Sequence, residues 1–173
     1  LLVSTALAPP YLVILGGEER GTLGALGGLL LASASASLLS SYIWGRFSDR
    51  SSRRVLMVTG VCGALALVLA LVLAQLGLAQ TVWAMPLALF VLMIAYHGVR
   101  QGRSTYLVDV APPDDRAAYA AVANTVIGVL LLVAGIAGGS AALVGPQAVL
   151  VLYTVMAAAA AVVAKGLPEA DEG

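Results

Sequence analysis

A group of polar and ionisable side chains stands at the end of one long apolar run. The group consists of Tyr96, His97, Arg100, Gln101 and Ser104. If the helix continues past residue 98, spacings of three and four residues bring His97, Arg100 or Gln101, and Ser104 to one face. Such a face could bind an anion or relay protons, because imidazole titrates near neutral pH and guanidinium pairs with oxyanions. The same residues could instead form a polar end that anchors the run.

Further polar side chains interrupt two other apolar runs. Ser33, Ser37 and Ser41 recur every fourth residue, which stacks their hydroxyls along one side of a helix, and Asn124 precedes Thr125 in a later run. These groups are candidates for a solute pathway or for hydrogen bonds that hold helices together. The candidate substrate or proton pathway therefore comprises Tyr96, His97, Arg100, Gln101, Ser33, Ser37 and Asn124.

The charged side chains are concentrated in one short stretch. The stretch 45–54, GRFSDRSSRR, holds five of the eighteen Lys, Arg, Asp and Glu residues. Arginines beside a membrane span hold a loop in the cytoplasm, but that role explains neither Asp49 nor Gly45. A glycine lets another backbone approach or the chain turn, and a carboxylate can oppose the positive N-terminus of a neighbouring helix.

The elements that must position these residues are long and apolar. The chain has 173 residues, of which 61% are hydrophobic and 10% charged. About 20 apolar residues cross a bilayer as a helix, and a backbone in lipid must satisfy its own hydrogen bonds. We therefore predict an all-α, polytopic transmembrane bundle that forms a single domain over residues 1–173. Its six spans are approximately 1–16, 23–44, 55–76, 82–98, 117–137 and 143–164.

The distribution of basic residues predicts an orientation for these spans. Eight of the nine Lys and Arg residues fall in alternate connections and in the tail 165–173, and only Arg20 falls on the other side. The positive-inside rule then puts both termini and the tail in the cytoplasm. Trp83 near the outer boundary, with Tyr42 and Trp44 near the inner one, suits interfacial anchoring.

Small residues form a stripe along the second span. They recur every fourth residue, which lets a neighbouring helix come close, either as a moving seam or as static packing. The fifth span carries a similar set of glycines. The two sets are Gly24, Gly28, Ala32, Ala36 and Ser40, and Gly128, Gly135 and Gly139.

The charged stretch resembles the loop signature G-x-x-x-D-R-x-x-R-[RK] of the major facilitator superfamily of secondary transporters. That signature lies between the second and third helices of each six-helix half, and Ser52 stands where a glycine is usual. The region 98–124 is also similar to the connection between the fourth and fifth helices in bacterial members. The matching residues are Gly45, Asp49, Arg50, Arg53 and Arg54.

The resemblance covers essentially the whole chain and implies the C-terminal half of a twelve-helix fold. It implies membrane transport of a small-molecule substrate by alternating access, with efflux of lipophilic compounds as one option. The signature residues would form a conformational latch, with Asp49 as the acceptor. The N-terminal six-helix half is expected as a partner and is expected to be missing, and the location is expected to be the bacterial inner membrane.

Other classes of protein fit the residues less well. A formal net charge of zero argues against nucleic-acid binding, and Cys62 is the single cysteine, so no cysteine metal cluster is expected. Ser140 in a Gly-Gly-Ser-Ala sequence and the single His97 fall toward opposite membrane faces, too far apart for a protease pair. We predict no enzyme, no metal and no cofactor. The alternative that stays open is a non-catalytic six-span scaffold or subunit in the lipid bilayer.

Overall fold

The computed structural model describes residues 1–17, 23–48, 50–141 and 143–168. All the regular elements in these residues are helical, which confirms the predicted all-α bundle. Five of the helices are long and apolar enough to cross a membrane, and a shorter apolar pair covers Leu2–Leu15. The elements are α1 (Leu2–Leu7), α2 (Pro9–Leu15), α3 (Leu23–Ser48), α4 (Ser52–Gln75), α5 (Ala84–Val110), a 3-10 turn (Pro113–Asp115), α6 (Arg116–Ala141) and α7 (Pro146–Lys165).

Local sequence features explain where several helices begin and end. Pro9 stands at the first position of α2, where it lacks the N–H that would continue α1. The Ser51 hydroxyl accepts a hydrogen bond of 3.2 Å from the Arg54 backbone N–H and so caps α4. Gly145 precedes α7 with a φ of 134°, which favours glycine, and Pro146 opens the helix.

Helix α5 is longer than the predicted fourth span. The apolar run ends near residue 98, but the helix continues to Val110. Arginine, glutamine and leucine are good helix formers, so the loss of hydrophobicity does not end the helix, and the next proline is Pro112. As a result the polar residues after His97 stand on a rigid element.

The core of the bundle lies between α4, α5 and α7. Helix α5 packs against α3 and α4, and α4 packs against α7. Much of this core is alanine, which lets helix backbones approach closely where lipid removes the usual hydrophobic driving force. The core residues are Ala8, Leu12, Ala66, Leu67, Ala70, Leu73, Ala84, Met85, Ala88, Leu89, Leu92, Val149, Leu150 and Tyr153.

Glycines divide into two groups by their surroundings. A Cβ atom placed at Gly60, Gly98 or Gly102 would collide with a side chain of another helix, so these residues sit at close helix contacts. A Cβ atom at Gly128 or at the other α6 glycines of the predicted set would meet nothing within 4 Å. Glycines at the α4 and α5 contacts therefore serve packing within the chain, as does Gly138 of α6 beside Tyr153, whereas Gly128, Gly135 and Gly139 of α6 have open space around them.

Helices α3 and α6 are the exposed members of the bundle. Within the most apolar window of α6 no residue is buried, and within that of α3 the buried share is 11%. The small-residue stripe of α3 is partly covered, because Ala36 and Ser40 are buried. Gly24 belongs to the same stripe, but its side-chain surroundings lie outside the described residues.

Candidate functional site

A polar pocket of about 310 Å³ lies between α3 and α5. Five of its lining residues come from α5, and four come from the last three turns of α3. The extension of α5 past residue 98 is what brings its polar face to this position. The lining is His97, Arg100, Gln101, Arg103 and Ser104 from α5, with Ser40, Ser41, Trp44 and Gly45 from α3.

Trp44 fixes the two helices against each other beside this pocket. Its indole Nε1 donates a hydrogen bond of 2.8 Å to the Ile94 carbonyl oxygen, and the side chain is buried. Gly98 makes the contact possible, because a Cβ atom there would collide with the Trp44 ring and with Thr59. The prediction that Trp44 is an interfacial anchor was therefore wrong, since the ring packs inside the chain.

Two of the lining residues carry buried polar atoms that have no hydrogen-bond partner among the described residues. One is Ser40 Oγ, in a residue that is only 1% exposed, and the other is Arg103 Nε. Such atoms are uncommon, because a buried polar group without a partner costs free energy. The Ser41 hydroxyl differs, since it donates to the Ser37 carbonyl oxygen at 3.0 Å.

The electrostatic character of the pocket is positive. Arg100 and Arg103 line it, and the described residues of its lining include no Asp or Glu. Arg103 Nη1 donates to Asn124 Oδ1 at 3.1 Å, which connects α5 to α6. The Arg100 guanidinium lies over the Tyr96 ring at 5.8 Å from its centroid, a cation–π arrangement that holds the charge at the pocket. Two guanidinium groups and a free hydroxyl suit an oxyanion.

The structure brings together part of the predicted pathway. His97, Arg100 and Gln101 line the pocket, together with Ser104 from the same helix face. Tyr96 touches two of these residues: its ring lies edge-on to His97, with 5.4 Å between centroids, and beneath Arg100.

Three other predicted pathway residues do not line the pocket. Only the backbone carbonyl oxygen of Ser37 reaches a lining residue, Ser41, whereas the Asn124 side chain accepts a hydrogen bond from the lining residue Arg103. Ser33 lies on α3, two helical turns before Ser40, and has no such link in the described part of the chain.

The predicted latch is only partly described by the structure. Asp49 lies outside the described residues. Arg50 and Arg54 are exposed, and Arg53 is half-buried at the start of α4. Gly45 lies within α3 rather than at a turn, and a Cβ atom there would meet no atom of the described residues within 4 Å. Gly45 therefore opens space in the pocket wall.

Ser52 replaces the usual glycine of the signature with a hydrogen-bonding group. The Ser52 hydroxyl donates to Asp109 Oδ2 at 2.9 Å, and Ser52 is buried. This bond ties the start of α4 to the last turn of α5. Nearby, the Thr105 hydroxyl reaches the Ser48 hydroxyl of α3 at 3.5 Å. We call this junction of α3, α4 and α5 the arginine-rich end, after Arg46, Arg50, Arg53 and Arg54.

Some residues of this region were not predicted as functional. Asp109 lies in the stretch that resembles the fourth connection, but nothing in the sequence pairs it with Ser52. From the sequence, Arg103 contributes only to the positive charge that predicts membrane orientation, and Ser40 is only one member of the small-residue stripe of α3. An unusual serine at a glycine position of the signature was the one available signal for the Ser52 contact.

The fold and the pocket define a polytopic, all-helical membrane protein with a polar recess at its basic end. The family model of the Major Facilitator Superfamily matches residues 2–172. The chain therefore belongs to this superfamily of membrane transporters and is an integral membrane protein. Comparisons with curated proteins and with solved structures found no significant match.

Proposed function

We propose that this chain is one six-helix half of a secondary active transporter that moves a small solute by alternating access. The observation that carries the proposal is the family match over residues 2–172, combined with the signature residues at the junction of α3 and α4. In such transporters two halves rock around a site near the membrane midplane. In this proposal the arginine-rich end and both termini of the segment face the cytoplasm of a bacterial cell.

The N-terminal six-helix half is the partner we propose. Support comes from α6, whose apolar side chains are exposed and whose Gly128, Gly135 and Gly139 have open space around them. Small residues let helices of two halves approach closely, and glycines facing lipid alone would gain no packing. The same reasoning applies to the exposed face of α3.

For the solute we propose a small lipophilic or amphipathic compound that is exported. An open groove of about 420 Å³ supports an apolar contact, since it is lined by Leu31, Trp83, Leu87 and Phe90 among others. The polar pocket supports a contact with a charged or hydrogen-bonding group. In this proposal the pathway runs past His97, Arg100 and Gln101.

The latch at the signature loop is the part of the proposal that mutation tests most sharply. With Asp49 as acceptor for neighbouring cations or helix N-terminal N–H groups, Asp49→Asn removes the charge and keeps the shape. We expect the initial transport rate of the full-length protein in proteoliposomes to fall about tenfold, as expected for the loss of one charge-assisted contact. We expect the amount inserted in the membrane to change little.

Two comparisons make this experiment decisive. Asp114→Asn removes an exposed carboxylate of the 3-10 turn and should leave the rate close to wild type. Equal losses of transport and of insertion in Asp49→Asn would contradict the latch. Absence of transport in the unmodified protein, with the protein folded and a broad panel of solutes tested, would favour the scaffold alternative.

A further inference from the structure

We propose that the polar pocket binds a phosphate group, carried either by a small solute or by the headgroup of an anionic lipid. The inference deepens the proposed function, on which it rests for its physiological meaning, because the pocket contains part of the proposed pathway. The binding itself can be tested without any transport measurement.

Charge is the first argument for a phosphate ligand. Two guanidinium groups, those of Arg100 and Arg103, line one pocket, and no carboxylate is among the described residues that line it. A phosphate monoester carries a charge of roughly −1.5 to −2 at neutral pH, which matches two guanidinium charges. A phosphodiester, as in phosphatidylglycerol, carries a single negative charge, which the same two groups can also neutralise. Arginine also suits this ligand because its planar fork can donate two parallel hydrogen bonds to oxygen atoms.

Unsatisfied donors are the second and independent argument. Ser40 Oγ and Arg103 Nε are buried in residues of the pocket wall and have no partner in the part of the chain that the structure describes. Ser41 cannot serve in the same way, because its proton is already donated to the Ser37 carbonyl oxygen. A bound oxyanion would supply acceptors to Ser40 and Arg103 and so remove the cost of leaving them unpaired.

The walls of the pocket are rigid enough to hold such a group. Trp44 ties α3 to α5 by its bond to the Ile94 carbonyl oxygen. The Tyr96 ring, outside the pocket, holds the Arg100 guanidinium, and Asn124 holds Arg103 by accepting a hydrogen bond from its Nη1. Both guanidinium groups are therefore restrained before a ligand arrives, which reduces the entropy lost on binding.

The volume indicates that the phosphate carries a substituent. At about 310 Å³ the pocket is at the lower end of the range for small-molecule sites, which is about 300–1,000 Å³. Gly45 contributes to this space, since no described atom lies within 4 Å of the position of a Cβ. A glycerol phosphate group, free or as part of a lipid, is of the required chemical class.

The test uses the full-length protein purified in a phosphate-free detergent. Binding of inorganic phosphate and of glycerol 3-phosphate is measured by calorimetry, and binding of phosphatidylglycerol is measured by native mass spectrometry of mixed micelles. We expect Arg100→Gln and Arg103→Gln to weaken binding about tenfold or more, and Ser40→Ala to weaken it several-fold. Arg46→Gln removes an equal charge from α3 outside the pocket and should change affinity less than about twofold, as exposed charges contribute little.

One further variant separates loss of binding from loss of folding. Gly45→Leu adds bulk in open space, so the protein should keep its thermal midpoint while its phosphate affinity falls about tenfold or more, because the side chain fills the ligand volume. If glycerol 3-phosphate binds, and binds more weakly to the variants, the natural ligand is a free solute. If only phosphatidylglycerol binds, with the same weakening in the variants, the ligand is a lipid headgroup.

The inference is overturned if none of the three probes binds, or if binding persists unchanged in Arg100→Gln and Ser40→Ala. Failure of the transporter function would look different. A protein that binds phosphate at this pocket but moves no solute contradicts the proposed function alone. A protein that transports but binds no phosphate contradicts only the present inference.

Discussion

Gly98 is the residue at which α5 lets two other helices approach its backbone. Thr59 of α4 and Trp44 of α3 both occupy the space that a Cβ atom would need. Thr59 is fully buried, with its hydroxyl bonded to the Val55 and Leu56 carbonyl oxygens. A side chain at position 98 would therefore push on two well-packed neighbours at once.

We expect Gly98→Ala to lower the free energy of unfolding by about 1–3 kcal/mol, the usual cost of overpacking. The measurement is the thermal midpoint of the detergent-purified protein. Gly128→Ala is the matched control, because its Cβ meets nothing within 4 Å and alanine favours the helix. Equal midpoints for wild type and Gly98→Ala would contradict the close contact at Trp44.

At the scale of elements, the start of α4 and the end of α5 are joined by side chains rather than by sequence neighbours. The Ser52 hydroxyl at the start of α4 donates a hydrogen bond to Asp109 of α5, and the Ser51 hydroxyl, one residue before α4, caps that helix. Arg53 and Arg54 of the signature stand on this capped helix start, and Arg50 lies just before it. The geometry of Arg53 and Arg54 therefore depends on the contact that Ser52 makes with Asp109.

We expect a coupling energy of about 1 kcal/mol between Ser52 and Asp109, because each single change leaves the other group without its partner. A double-mutant cycle with Ser52→Ala and Asp109→Asn measures it from unfolding free energies. The parallel cycle of Ser52→Ala with Asp114→Asn should be additive, since Asp114 is exposed in the 3-10 turn. Additivity in the first cycle would mean that the bond of 2.9 Å does not contribute.

Long elements were predictable from the sequence, but contacts between them were not. Apolar runs of span length have few folded alternatives in lipid, so the helical class followed from composition. The end of α5 was missed because hydrophobicity reports the membrane boundary, whereas a helix ends where backbone bonding or a proline stops it. The burial of Trp44 depends on a glycine 54 positions further along the chain, and sequence spacing carries no information on that pairing.

The candidate site also has a part that the sequence predicts and a part that it does not. The shared face of His97, Arg100 and Ser104 followed from helical spacing, because neighbours at three and four residues lie together. The contribution of α3 could not follow, since the sequence indicates packing for Ser40 and the loop signature for Gly45, and neither role places them beside α5. The orphaned Ser40 hydroxyl is visible only in the folded chain.

At the scale of the whole molecule, the chain has an internal core and two exposed apolar helices. Membership of the Major Facilitator Superfamily explains that division if α3 and α6 meet a second half. The opposite ends of the bundle also differ in charge. The arginine-rich end collects most of the basic residues, whereas the connection at Leu143–Pro146 has none.

The most direct test is the sidedness of these two ends in a living cell. In a Cys62→Ala background, Arg54→Cys and Val144→Cys each place one exposed thiol at one end of the bundle. With a membrane-impermeant maleimide we expect Val144→Cys to react in intact cells and Arg54→Cys to react only after permeabilisation. Labelling of Arg54→Cys in intact cells, or reaction of both thiols from the same side, would contradict a bundle that crosses the bilayer with its arginines inside.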